Sequence, residues 1–256
     1  MHLYTVFNNF RPVSNLSFIS KCAEELVLQQ LLSHCSENAP LPSNQSAYRK
    51  YHSTETCLLK VQNDILLSMD RQEVTLLVLL DLSAAFDTID HNLLLDLLQS
   101  DFGVIGSALQ WVRSFLSERQ QRVVVGQSCS KDYQMKYGVP QGSCIGPILF
   151  LLYTSRLFKL MEKHLLHMQG YAEDTQLYLS FRPSSSEEMD RALSALCAAI
   201  AEVGAWLISH KLKCNDTKTE FIIIGTRQQL AKVEISSVKV GTAETHDHHQ
   251  EPWCLV

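Results

Sequence analysis

Three carboxylates in this sequence stand where the backbone must turn. Asp81 closes a short apolar run, TLLVLLD (75–81), and Glu173-Asp174 interrupts two β-rich stretches, 168–171 and 175–181. A continuous apolar run ending on a charge reads as a buried strand with the charge at its C-terminal end. The short interruption at 172–174 reads as the tip of a hairpin. If these elements pair in one sheet, the three carboxylates converge on one point. Their hard oxygens suit Mg²⁺, and two such ions about 3.5–4 Å apart hold an in-line phosphoryl displacement. Acidic groups at strand ends and turns are also common as plain solvated charges, so spacing alone leaves both readings open.

The charge pattern points the same way. Residues 81–110 contain five Asp and no Lys or Arg, whereas 111–165 contain eight Lys/Arg against three Asp/Glu. A basic strip beside a carboxylate stretch is what a site handling phosphates through metal ions needs. Chance segregation of surface charge gives the same pattern. The whole chain carries a net charge of −5, which argues against a dedicated basic nucleic-acid binder.

The elements that must position these groups follow from periodicity. Apolar spacing of three and four predicts helices over 21–35, 53–69, 84–99, 106–117, 146–164 and 186–209. Hairpins are expected over 121–138 and 168–181, and strands at 75–81, 219–225 and 233–240. Past Gly241 the sequence GTAETHDHHQEPWCLV shows no period. This order implies an α+β fold, a largely antiparallel sheet covered by helices on one face.

At 256 residues, with 46% apolar and 19% charged side chains, the chain has globular composition and is not intrinsically disordered. Apolar runs such as 76–80 and 148–153 fall short of the roughly 20 residues a membrane helix needs. No membrane association is therefore expected. No secretory pattern is visible at the N-terminus. The eight cysteines include no C-x-x-C and read as reduced thiols, so the expected compartment is cytoplasmic or nuclear, not secreted.

Six blocks carry a resemblance: NFRPVSNLSFISK (9–21), QSAYRKYHSTET (45–56), LVLLDLSAAFDTIDHNLLL (77–95), YGVPQGSCIGPILFLLY (137–153), YAEDTQLYLSF (171–181) and HKLKCNDTKTEFIIIGT (210–226). In this order they resemble the reverse transcriptases of non-LTR, LINE-type retrotransposons. The resemblance implies a right-hand polymerase with fingers and palm. The palm would be an antiparallel ferredoxin-like sheet covered by helices. The expected boundaries are partial fingers over 1–74, palm over 75–241 and an irregular tail over 242–256, with the thumb absent.

It also implies roles. Asp81, Glu173 and Asp174, with the Leu82 carbonyl, would hold two Mg²⁺ ions, or Mn²⁺. Lys218 would protonate the leaving pyrophosphate. Phe86 would exclude a 2′-hydroxyl, Gln141 and Gly142 would support nucleotide and template, and Arg11 and Arg49 would grip the triphosphate. The bland alternatives are a core aromatic for Phe86, an ordinary turn for 141–142, surface ion pairs for the arginines and a solvated lysine for Lys218. The implied partners are an RNA template, a DNA primer and deoxynucleoside triphosphates.

The chain departs from the family at several points. The hairpin reads Tyr171-Ala172-Glu173-Asp174 where the family has two aspartates, and Ala47 and Tyr51 stand where it usually has Gly. Mg²⁺ wants oxygens at about 2.0–2.1 Å and tolerates displacement poorly. A misplacement of about 1 Å can lower the rate on the order of 10²-fold. Back-translated and shifted by one base, Glu-Pro-Trp-Cys-Leu-Val can read Asn-Leu-Gly-Val-Trp, a word of the family. Residues from about 242 onward thus read as an out-of-frame translation, which makes His246, His248 and His249 an accidental cluster, not a metal site. The expectation is a reverse transcriptase domain impaired in this chain. The alternative is an inactive remnant with at most weak nucleic-acid binding.

Overall fold

The apolar run ending at Asp81 forms the centre of the largest sheet. The computed structural model describes residues 13–38, 41–164, 166–215, 217–234, 237–240 and 243–246. Its helices and strands begin with α1 (Phe18–Asn38), α2 (Thr54–Asp70), β1 (Val74–Leu80), β2 (Leu82–Ser83), α3 (His91–Ser100) and α4 (Gly106–Leu116). Four two-residue strands follow: β3 (Gln120–Gln121), β4 (Val124–Val125), β5 (Ser128–Cys129) and β6 (Tyr133–Gln134). Then come α5 (Gly146–Met161), β7 (His167–Tyr171), β8 (Asp174–Phe181), α6 (Ser186–Ser209), β9 (Lys213–Cys214) and β10 (Glu220–Ile224). The last elements are α7 (Arg227–Leu230), β11 (Ser237–Val240) and β12 (Ala243–His246). The chain divides into two units interleaved in sequence, 1–40 with 86–153 and 41–85 with 154–256.

In the second unit the sheet order is β10-β1-β8-β7, and every neighbouring pair is antiparallel. With crossovers between β1 and β7 and between β8 and β10, this is the ferredoxin-like arrangement. Leu77 pairs with Ile222 on one side and Tyr178 on the other. That face packs on Val61 and Ile65 of α2. The Tyr178 hydroxyl donates to Asp64 at 2.6 Å. On the opposite face, Leu179 and Phe181 share a cleft with Ala192 and Ala195 of α6. Helices therefore cover both faces, where the periodicity implied one. The reason lies in β1: apolar at nearly every position, it leaves no face that water could cover.

The helix expected over 84–99 is broken. A single 3-10 turn spans Ala85–Asp87, and α3 starts only after Asp90. The Asp90 carboxylate accepts from the amides of Asn92 (2.9 Å) and Leu93 (3.1 Å), so a good N-cap overrides the apolar period. In the first unit, α3 and α4 bury Leu94, Leu98, Val112 and Leu116. By length and mean hydropathy alone α6 is apolar enough to cross a membrane, although its uninterrupted apolar runs are short. Its stripe of Leu196, Ile200, Val203 and Leu207 is nevertheless buried, as in a core helix.

Part of the tail is regular, since Ala243–His246 pairs antiparallel with Ser237–Val240. Residues 247–256 lie outside the described residues. The seven described cysteines are free thiols, and Cys254 lies outside them. Because Leu77 bridges α2 and the sheet, Leu77→Ala should destabilise the chain by about 2–5 kcal/mol in urea unfolding. A loss under about 1 kcal/mol would contradict this packing.

Candidate active site

Strand register decides where the carboxylates go. The last registered pair of β1 and β8 is Leu80 with Thr175. Asp81 and Asp174 therefore take the next opposed position, at the open end of the sheet. Glu173 lies beside them in the two-residue loop between β7 and β8. That loop begins with Ala172 at φ 56°, the left-handed region that a side chain disfavours.

The environment follows from this crowding. Asp174 remains exposed, but partial desolvation at the turn pushes its carboxyl above the ordinary aspartate value; the charges of Glu173 and Asp81 push it further, and Lys218 pulls it back. Asp81 is anchored separately. Its side chain accepts from the Asn215 amide at 3.0 Å and lies 3.7 Å from the Lys218 ammonium. Its backbone carbonyl accepts from Asn215 N–H at 2.8 Å. That bond makes 81 and 215 a hydrogen-bonded pair, so Leu82, opposite Cys214, occupies the alternate position and turns its carbonyl away from β9. Lys218 itself is largely exposed.

Asp81, Glu173 and Asp174 thus lie at one end of the four-stranded sheet, with Leu82 next in chain on the separate β2–β9 pair and Lys218 beside Asp81. Among the described residues, no three His, Cys, Asp or Glu side chains are gathered closely enough to ligate one metal ion. Mg²⁺ commonly takes one or two carboxylates and fills its remaining positions with water and phosphate oxygens. The opposed pair Asp81 and Asp174, the latter crowded by like charge, fits that donor set. Asn215 is the partner that the sequence reading missed. Its signal was the Asn-Asp-Thr turn word before β10, but nothing local pointed to Asp81, far upstream in the chain.

The other expected residues have different surroundings. The Nη1 of Arg49 donates to the carbonyls of Pro42 (2.9 Å) and Gln45 (3.1 Å), so part of its guanidinium ties a loop. In the unit of 1–40 and 86–153, the half-buried Phe86 ring lies against Phe150, centroids 5.1 Å apart. In that unit Gln141 donates to both oxygens of Asp87 at 3.3 Å, and Gly142 adopts φ 97°. The loop is fixed from below by buried Glu24, which accepts from the Ser143 hydroxyl at 2.6 Å and the Cys144 amide at 2.9 Å. Arg11, His248 and His249 lie outside the described residues, and for His246 only the backbone is described. Tyr51, where the family has Gly, sits at φ 66°, a conformation that glycine adopts freely.

Comparison with known families decides the kinship. Residues 6–248 match the family model described as reverse transcriptase (RNA-dependent DNA polymerase). The chain belongs to the reverse transcriptase family. It is 30% identical over 216 residues to the probable RNA-directed DNA polymerase from transposon BS of Drosophila melanogaster, covering 82% of this chain and 23% of that protein. It is 28% identical over 229 residues to the RNA-directed DNA polymerase from mobile element jockey of the same fly, covering 87% and 24%. The chain therefore spans about a quarter of the length of these curated relatives.

Among solved structures it is similar in fold to telomerase of Candida albicans in complex with a TWJ fragment of telomeric RNA. That match has a TM-score of 0.58 at 15% identity, over 87% of this chain and 36% of that one. Apo telomerase of Candida tropicalis truncated from its C-terminal domain gives 0.58 at 16%, over 89% and 44%. These likenesses establish a reverse transcriptase fold with fingers and palm. The family relation implies dependence on a divalent metal in general terms.

The Asp174 shift has a stability consequence. A carboxyl harder to ionise in the folded chain binds more protons there than when unfolded. Stability therefore falls as pH rises above the ordinary aspartate value of 3.8. Without metal, Asp174→Asn should raise the thermal midpoint at about pH 7, and the gain should vanish near pH 3, where both states hold a neutral carboxyl. A lowered midpoint at neutral pH would contradict the crowding.

Proposed function

We propose that this chain is the catalytic module of an RNA-directed DNA polymerase of retrotransposon origin, working with two Mg²⁺ ions and slowed by Glu173. The observation that carries the reading is the opposition of Asp81 and Asp174 at the end of β1 and β8, with Lys218 beside Asp81. The substrates are an RNA template, a DNA primer and deoxynucleoside triphosphates. In the reaction the primer 3′-hydroxyl gives its proton to water, its oxygen bonds to the α-phosphorus, and the bond to pyrophosphate breaks.

Asp81 and Asp174 are the ligands best placed for the ions, with the Leu82 carbonyl as a further oxygen and Glu173 at the margin. When bound, such ions favour the ionised 3′-oxygen and neutralise charge on the leaving group; Mn²⁺ can take the same ligands. Lys218, exposed beside Asp81, gives the proton from its Nζ to the departing pyrophosphate. Arg11 and Arg49 bind triphosphate oxygens. Phe86 excludes a 2′-hydroxyl, and Gln141 with Gly142 supports nucleotide and template, as the resemblance assigns them.

Glu173 favours a second reading. It carries the charge on a side chain one methylene longer, and no three carboxylates are gathered among the described residues. The chain would then bind nucleic acid weakly without polymerising. Primer extension on an RNA template separates the two. The chain as given should extend slowly, Asp81→Ala should be blank, and Glu173→Asp should gain up to on the order of 10²-fold. Silence of both the chain as given and Glu173→Asp, from folded protein, supports the second reading and overturns the first.

A further inference from the structure

The turn that carries Glu173 and Asp174 is held by a side chain from far upstream. Gln45 is 1% exposed. Its Oε1 accepts from the Ala172 amide at 3.2 Å, and its Nε2 donates to the Ala172 carbonyl at 3.3 Å. The same Oε1 accepts from the Ala47 amide at 3.0 Å, which fixes the orientation of the carboxamide. One amide thus grips both backbone groups of one residue, and that residue is the strained one, at φ 56°.

Gln45 is itself locked. Its backbone bridges Gly170 in parallel at the edge of β7. Ser46 N–H donates to the Gly170 carbonyl at 2.9 Å, and Gly170 N–H donates to the Asn44 carbonyl at 2.8 Å. A Cβ on Gly170 would come within 2.6 Å of Phe158 and 3.0 Å of the Gln45 Nε2, so only glycine leaves room for the carboxamide. The Gln169 amide donates to Ser46 at 2.8 Å, adding a second tie between this segment and β7.

We infer that Gln45 is a positioning residue for the carboxylate turn, holding Ala172 in its left-handed conformation so that Asp174 stays opposed to Asp81. Ala172 has no intrinsic reason to adopt a positive φ, and a two-residue hairpin loop starting on alanine instead of glycine needs outside support. The two bonds from Gln45 supply it. They also satisfy the backbone N–H and C=O that such a loop turns away from the ladder. Released from them, the loop relaxes and both carboxylates move with it. The function assigned to Gln45 rests on the reading of Asp81 and Asp174 as cation ligands, but the clamp itself is independent of it.

The test uses Gln45→Met, which keeps length and loses all three bonds, with two readouts. Mn²⁺ affinity, followed by electron paramagnetic resonance of the free ion, should weaken roughly 10- to 100-fold, the usual effect of removing a group that orients a metal ligand. Amide exchange should accelerate at Ala172 while β1 amides such as Leu77 keep their protection. Adding Ala172→Gly to Gln45→Met should recover much of the affinity, because glycine adopts positive φ without help. Unchanged Mn²⁺ affinity and unchanged exchange at Ala172 would overturn the inference. Unfolding, or equal loss of protection through β1 and β8, would assign Gln45 to general stability and overturn it as well. If the chain as given binds Mn²⁺ no better than Asp81→Ala, the metal reading fails, and the Ala172 exchange still decides the clamp.

Discussion

The opposition of two like charges at the end of β1 and β8 is the constraint around which this sheet is organised. Register enforces it. Seven consecutive pairs, from Val74 with Phe181 to Leu80 with Thr175, leave Asp81 and Asp174 no other relative position. A slip of one residue would separate them and also exchange every side chain between the α2 face and the α6 face. Since β1 is buried on both faces, packing guards the register, and the register guards the carboxylates. The hydrophobic core thereby sets where the two carboxylates lie without touching them.

Holding the charges together has consequences that the surrounding residues offset. Asp174 is pushed toward its neutral form by partial desolvation, by Glu173 and by Asp81. The Lys218 ammonium and the Asn215 amide stabilise Asp81 in return. Ala172 is held at positive φ by Gln45, and that segment is admitted only because residue 170 is glycine. Such local strain and charge crowding, overdetermined by neighbours, is common where a fold keeps a site preorganised. Glu173 adds a third carboxylate to this turn, on a side chain one methylene longer than aspartate, and its charge is one of the two that push Asp174 upward.

Much of this was legible in the sequence, for local reasons. A seven-residue apolar run ending in Asp81 announces a buried strand, and Glu173-Asp174 between β-rich stretches announces a hairpin. The helix start expected at Ser53, where the structure forms a capping box, and the long period of α6 likewise mark their own helices. The helix expected from 84 failed because an apolar period was read straight through Asp90, whose carboxylate caps α3 instead. The second covered face of the sheet was missed although β1 itself demanded it. Asn215 and Gln45 were invisible for a different reason. Each acts through one hydrogen-bonding amide on a residue more than a hundred positions away, and neither composition nor periodicity encodes such a distance. Only the family resemblance drew attention to the segments that contain them.

The central claim is that β-strand register gathers Asp81 and Asp174 into a cation site. The most direct measurement is paramagnetic broadening of backbone resonances as Mn²⁺ is titrated into the metal-free chain. The account predicts that signals at Asp81, Leu82 and Asp174 broaden first and together, and that Asp81→Asn abolishes this first phase. Broadening that begins at other carboxylates, or at the histidines near the C-terminus, and leaves Asp81 and Asp174 sharp would contradict it.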